Sequence, residues 1–183
     1  MDLHEKLPAF CFDRRGHAYP RVKEDLRQKF SENFELELPD GTAPPGKVEL
    51  RGYMLGGMAL LERTMFAHGV VRDERHIRAS QLDHYCLRVP MLPEDSYVDA
   101  CAISNAREKD LAYGPVFVDM GQPLHFDVPA GSDILLFVPR DSLDALLPHK
   151  LDLHGAAPRG PSGVLLGKFV RALTARIDDL HAS

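Results

Sequence analysis

The chain has 183 residues, 44% of them apolar, with 22 basic and 27 acidic side chains and a formal net charge of −5. That is the size of one domain, or one domain with an appendage, and enough apolar content for a real core. The acidic balance argues against these residues binding nucleic acid by themselves, since phosphate binding needs a basic face. No apolar run approaches the ~20 residues of a membrane span.

Three cysteines, Cys11, Cys86 and Cys101, have no paired spacing, which reads as a reduced, cytoplasmic chain. Met1 to Ala9 is charged and too short in apolar run for a signal peptide.

In chain order, Pro8 to Phe12 predicts a short strand. Val22, Leu26, Phe30 and Phe34 recur every four residues among charges, predicting an amphipathic helix lying on a sheet. Phe34, Leu36 and Leu38 alternate with acids as a strand does, and Asp40 to Gly46 is a turn-rich loop. Lys47 to Met58 and Leu60 to His68 read as two strands, with Gly56-Gly57 making a hairpin or bulge between them. Arg72 to Arg78 is crowded with charge. From His84 to Val89 the residues alternate. Tyr85, Leu87 and Val89 share one face, and His84, Cys86 and Arg88 share the other. Tyr97 to Ser104 predicts another strand, with a polar hairpin loop at Asn105 to Asp110.

From Gly114 to Pro148 three apolar runs stand in a row: Val116 to Met120, Leu124 to Val128 and Ile134 to Val138. Gly121-Gln122-Pro123 and Pro129-Ala130-Gly131-Ser132 separate them, which predicts antiparallel strands joined by tight turns. A short helix follows, with Asp141 as its expected cap and Leu143, Leu146 and Leu147 as its stripe. About eight strands spaced by turns, with no regularly alternating helices, predict an antiparallel barrel or sandwich. Gly155 to Gly163 looks like a linker, and Ser162 is the expected cap of a last helix. In that helix Leu166, Val170, Leu173, Ile177 and Leu180 form a seam that Leu165 and Phe169 widen. The seam suits either a contact between two subunits or packing on the chain's own strands. The acids Asp178 and Asp179 ill suit a helix end, and the expectation is that the natural chain continues past Ser183.

Three groups of residues together resemble the N-terminal ligand-binding and dimerisation domain of AraC/XylS-type transcription regulators. They are Arg72, Arg75, His76, Ile77 and Arg78 leading to His84 and Tyr85; then Gly114, Asp119 and Pro123; then Pro139, Arg140 and Leu143. The resemblance spans roughly Lys47 to Leu180. It implies an α+β chain, mainly β: a cupin-like antiparallel barrel followed by C-terminal helices that pair between subunits. The implied division is a barrel over 1–154 and a linker with dimerisation helix over 155–183. A helix-turn-helix domain completes full-length members. None fits within this sequence, so DNA binding would belong to a C-terminal segment outside it, or the protein is a stand-alone relative.

The nine histidines are scattered and include no His-x-His, so no metal site and no cofactor are expected. There is no Gly-x-Ser-x-Gly elbow and no phosphate loop, so no catalytic residues are assigned. Cys86 and Cys101 read as buried structural thiols. The charged stretch is expected to be a solvated, salt-bridged loop. The resemblance suggests a bracing role for it, with Arg75 or Arg78 holding an anionic effector as the alternative. The barrel interior is the expected effector pocket. Its candidate lining is Tyr53, Met65, Arg78, Tyr85, Arg88, Tyr97, Phe117, His125 and Phe137. The candidate dimer interface is Leu166, Phe169, Val170, Leu173, Ile177 and Leu180. The reading is therefore the effector-sensing part of a homodimeric regulator, partnered by a small molecule and by no membrane. A cupin-type metal-dependent enzyme is the rival, and a ligand-free pairing barrel is a third possibility.

Overall fold

The structure is a computed structural model that describes residues 9–14, 17–41, 46–80, 82–92, 114–147 and 151–179. The expected strand at Tyr97 to Ser104 and its loop lie outside the described residues, as do Cys101 and Leu180.

Strand β1 (Ala9–Asp13) leads to helix α1 (Tyr19–Phe30). The helix begins earlier than Val22 because Pro20 suits its first turn. Tyr19, Val22 and Leu26 are its buried stripe, and the Tyr19 hydroxyl donates to the Pro39 carbonyl at 2.9 Å. The short strand β2 (Glu35–Glu37) alternates exposed, buried, exposed as expected. Strands β3 (Glu49–Leu55) and β4 (Met58–Met65) form the hairpin, with Leu55 opposite Met58. Only two residues turn the chain there. Gly56 has φ +63°, which a side chain would disfavour.

Strand β5 (His68–Arg72) runs into helix α2 (Glu74–Ala79). This corrects the expected loop. Asp73 caps the helix by accepting from the His76 backbone N–H, while the His76 ring reaches back to the Asp73 N–H, so two orphan donors are satisfied reciprocally. Within the stretch an exposed Glu74–Arg78 pair stands at 3.0 Å, and His76 Nδ1 lies 2.6 Å from the Asp73 carboxylate.

Strands β6 (His84–Pro90), β7 (Val116–Asp119), β8 (Leu124–Val128) and β9 (Gly131–Pro139) follow, then helix α3 (Arg140–Asp144) and helix α4 (Gly160–Ala175). A 3-10 turn at Ile177–Asp179 ends the described chain. Two expected caps are corrected. Pro139 is the cap position of α3, with Asp141 inside its first turn, and Arg159 is that of α4, with Ser162 inside the helix.

The fold is mainly antiparallel β with helices, as expected, and of the barrel and the sandwich the described strands take the second, with no closure into a barrel. Among the described residues the strands form two separate sheets, in the orders β1-β3-β4-β9-β6-β7 and β2-β5-β8. The three runs from Val116 to Val138 are not a meander. β7 pairs with β6, β8 with β5, and β9 lies between β4 and β6. The turns at Gly121–Pro123 and Pro129–Ala130 therefore carry the chain from one sheet to the other and back.

Two cores result. One lies between the sheets and under α1, built from Leu50, Leu61, Met65, Leu36, Val70, Val128, Tyr19 and Leu26. The other lies on the opposite face of the six-stranded sheet, where Leu60, Leu87, Val89 and Ile134 meet Val170 and Ile177. Val170 on α4 and Ile177 in the turn after it are 2% exposed or less, and each such burial contributes roughly 1.5–3 kcal/mol. The acids at the end of α4 also find partners. Asp178 accepts from Arg51 Nη2 at 2.8 Å and from the Tyr53 hydroxyl at 3.2 Å, tying the end of the chain to β3. The linker-like stretch is docked too. Phe117 donates to the Ala156 carbonyl at 2.8 Å and accepts from the Gly155 N–H at 2.9 Å.

Three of the residues that carry the family resemblance, Tyr85, Asp119 and Arg140, make one lock. Arg140 bonds Asp119 through both terminal nitrogens, Asp83 at 2.5 Å and the Tyr85 hydroxyl at 2.8 Å, which joins α3 to β6 and β7. These bonds hold the Asp119 carboxyl below its ordinary range, although burial alone would raise it.

Candidate functional site

A cavity of about 90 Å³ lies between the two sheets. Its wall follows from strand parity. Leu61, Arg63 and Met65 on β4, Cys86 and Arg88 on β6, Val116 and Val118 on β7, and Leu135 and Phe137 on β9 share the inward face of the large sheet. Leu36, Val70, Leu124, Phe126 and Val128 close it from the small sheet, with Phe30, Phe34 and Met120 at the margin.

Of the nine residues expected to line a pocket, Met65, Arg88 and Phe137 are in this wall. Tyr97 lies outside the described residues. Tyr53 and Phe117 face the other core, beneath α4. Tyr85 has their parity, and its hydroxyl accepts from Arg140 and donates to Asp144 at 3.2 Å. Arg78 stands exposed on α2, and His125 is exposed on the small sheet. The split is the one-residue alternation of a strand: neighbours of a cavity residue point the other way.

Reading residue by residue missed Arg63, Asp133 and His68. Arg63 donates to Asp133 through Nε at 2.8 Å and Nη2 at 2.5 Å, and Arg88 Nε donates to the same carboxylate at 2.8 Å. All three side chains are 10% exposed or less. Arg63 stands two residues before Met65, so the period of the strand was the signal for it. Nothing local marks Asp133, whose partners are distant in sequence.

Burial would raise the Asp133 carboxyl, but Arg63 and Arg88 outweigh it and hold the group below its ordinary range. Burial pushes the Cys86 thiol up to about 12, so it stays protonated. His68 is held down to about 4, first by burial and then by the Arg63 charge. Its hydrogen bonds agree with a neutral ring: Nδ1 lies 2.7 Å from the Phe66 carbonyl and Nε2 lies 3.1 Å from Arg63 Nη1. A neutral tautomer that donates from Nδ1 and accepts at Nε2 satisfies both contacts.

A pH dependence follows. His68 binds its proton in the unfolded chain near 6.5 but in the folded chain only near 4. Its contribution is therefore complete above 6.5 and is lost as the pH falls toward 4, up to about 3 kcal/mol. Urea unfolding between pH 7 and 4 measures it. His68→Gln should flatten that slope, and an equal slope in the variant would refute the assignment to His68.

The ligand atoms of Glu37, His125 and Asp127 lie within 4.8 Å of one another on the exposed face of the small sheet, away from the cavity. The register that puts Gly69 opposite both Glu37 and Asp127 explains the cluster.

Among the residues expected at a subunit interface, Val170 and Ile177 are buried in the chain's own core, with Leu166 and Leu173 packed beside them. Phe169 points outward at 62% exposure, next to Leu165 at 70%. No helix among the described residues is long and apolar enough to cross a membrane.

No family model matches the sequence, and no curated protein matches it. Among solved structures, the chain is similar to the crystal structure of the AraC-like transcriptional activator CuxR, with a TM-score of 0.67 and 18% sequence identity. The likeness covers 92% of this chain and 61% of the CuxR chain. At that identity it establishes a shared fold.

Proposed function

We propose that this chain is the effector-binding part of a transcription regulator, with DNA contacted by sequence outside these residues. One observation carries the reading: an apolar cavity between two sheets, in a fold shared with an AraC-like activator over 92% of the chain. Ligand sites are concave and mostly apolar with a few placed polar groups, which is the composition of this wall.

The fold supplies a route for the signal. Strands β4, β6 and β9 line the cavity with one face and carry α4 on the other. A ligand seated against Arg88 and Leu135 is one strand thickness from Val89 and Ile134, on which Val170 packs. It can shift α4 only through different affinities for two arrangements of that layer.

Homodimerisation through α4 is part of the proposal. Leu165 and Phe169 are the side chains this helix offers a partner, since Val170 and Ile177 already serve the internal core. Native mass spectrometry tests both claims, with a denatured spectrum of the same sample. The expected result is a dimer carrying a co-purified organic mass. A monomer carrying stoichiometric metal would overturn the reading in favour of a cupin-type enzyme. Phe169→Glu should give a folded monomer, because that position is exposed; a persisting dimer would remove α4 from the interface.

A further inference from the structure

The cavity wall restricts the polar group that a ligand can bring, an inference that rests on the effector reading and narrows it. Among the described lining residues the polar side chains are Arg63, Arg88 and Cys86. Asp133, which holds both guanidinium groups, is not in that wall; it lines a different recess beside Glu49 and Thr64. A guanidinium carries five N–H donors and no acceptor, and a protonated thiol is a weak donor. What the described part of the wall presents is therefore donors set in hydrocarbon. An amine would bring donors and a positive charge to donors. An alcohol or amide would accept without charge. A carboxylate accepts with both oxygens and is charge-assisted at each.

The two arginines are also held in place. Arg63 Nη2 and Arg88 Nε both bond the same oxygen of Asp133, so the guanidinium groups cannot drift apart. Each terminal nitrogen of Arg63 has two hydrogens, so it can serve a ligand without releasing Asp133 or His68. Phe126 lies under Arg88, with 5.6 Å from its ring centre to the guanidinium carbon. The volume of about 90 Å³ favours a short apolar body.

We propose that the cavity takes a small organic monocarboxylate, its apolar body among Phe126, Leu135 and Phe137 and its carboxylate against Arg63 and Arg88.

Calorimetry on the purified protein with pentanoate, pentanamide and 1-pentanol tests this without any variant. Pentanoate should bind at least about tenfold more tightly than the amide or the alcohol. Arg88→Gln should bring pentanoate down to the level of the alcohol and leave the alcohol unchanged. Equal binding of the three probes to the wild type, abolished in Val118→Phe, would overturn the carboxylate and leave the effector reading standing. Binding of none of them would overturn the carboxylate as well. The effector reading fails by a separate result, a native spectrum with no dimer and no carried organic mass.

Discussion

Asp133→Ala should lose about 3–5 kcal/mol of folding stability, read by urea unfolding at neutral pH. The physical reason is the arrangement around that carboxylate. Its side chain is 4% exposed and lies between Arg63 and Arg88, themselves 10% and 7% exposed. Removing it leaves two guanidinium groups in a low-dielectric layer without the counter-ion that offsets their desolvation. Domains of this kind are stable by about 5–15 kcal/mol in all, so the variant should lie near the edge of folding. Asp133→Asn keeps the shape and one accepting oxygen but loses the charge and the second acceptor, and should fall between the wild type and the alanine variant. A loss below about 1 kcal/mol for Asp133→Ala would mean that the arginines reach solvent or another anion, and the account of the cluster would be wrong.

The same group sets an acid limit. Its folded-state carboxyl is depressed, so its contribution is present above the ordinary carboxylate range and is lost as the pH falls through the lower folded value. That window lies below the one set by His68, which is lost between 6.5 and about 4. Acid unfolding should therefore come in two parts, and only the upper part should respond to His68→Gln.

How much of this was legible in the sequence depends on the range of the interaction. Alternation of Leu, Val and Phe with polar residues located the strands, because side chains on a strand face alternate sides whatever they pack against. Partners were another matter. The runs at Val116, Leu124 and Ile134 look like a meander because each is followed by a turn. Those turns cross between sheets, and local spacing holds no record of which strand lies alongside. The same ignorance of register put Tyr53, Tyr85 and Phe117 on the list of cavity residues; they share a parity with Leu87 and Val89, which face α4. The α4 stripe was read correctly as apolar, but a stripe alone does not say whether a sheet or a second subunit covers it. The family resemblance was informative in a different way, since Asp119 and Arg140, quoted for their order in the chain, form an ion pair across the fold.

Arg72→Lys should cost about 2–4 kcal/mol although the charge is kept, because the position uses the fork of the guanidinium and not its charge alone. Arg72 ends β5 and is 1% exposed. Nε donates to the Met120 carbonyl at 2.8 Å, Nη1 to the Asn33 carbonyl at 2.6 Å and Nη2 to the Ser80 hydroxyl at 2.8 Å. These acceptors belong to the turn after β7, the turn after α1 and the end of α2, so one side chain closes three backbone segments around one corner. A lysine places a single ammonium and cannot meet three divergent acceptors, so buried carbonyl groups would be left unsatisfied at about 1–3 kcal/mol each. Met120 also lines the cavity, so the loss should reach the site. The variant should show faster hydrogen exchange in β7 and β8 while β3 and β4, on the far part of the large sheet, stay protected. A lysine variant within about 0.5 kcal/mol of the wild type would show that the corner needs only a cation, and that the neutral acceptors around Arg72 are satisfied in some other way.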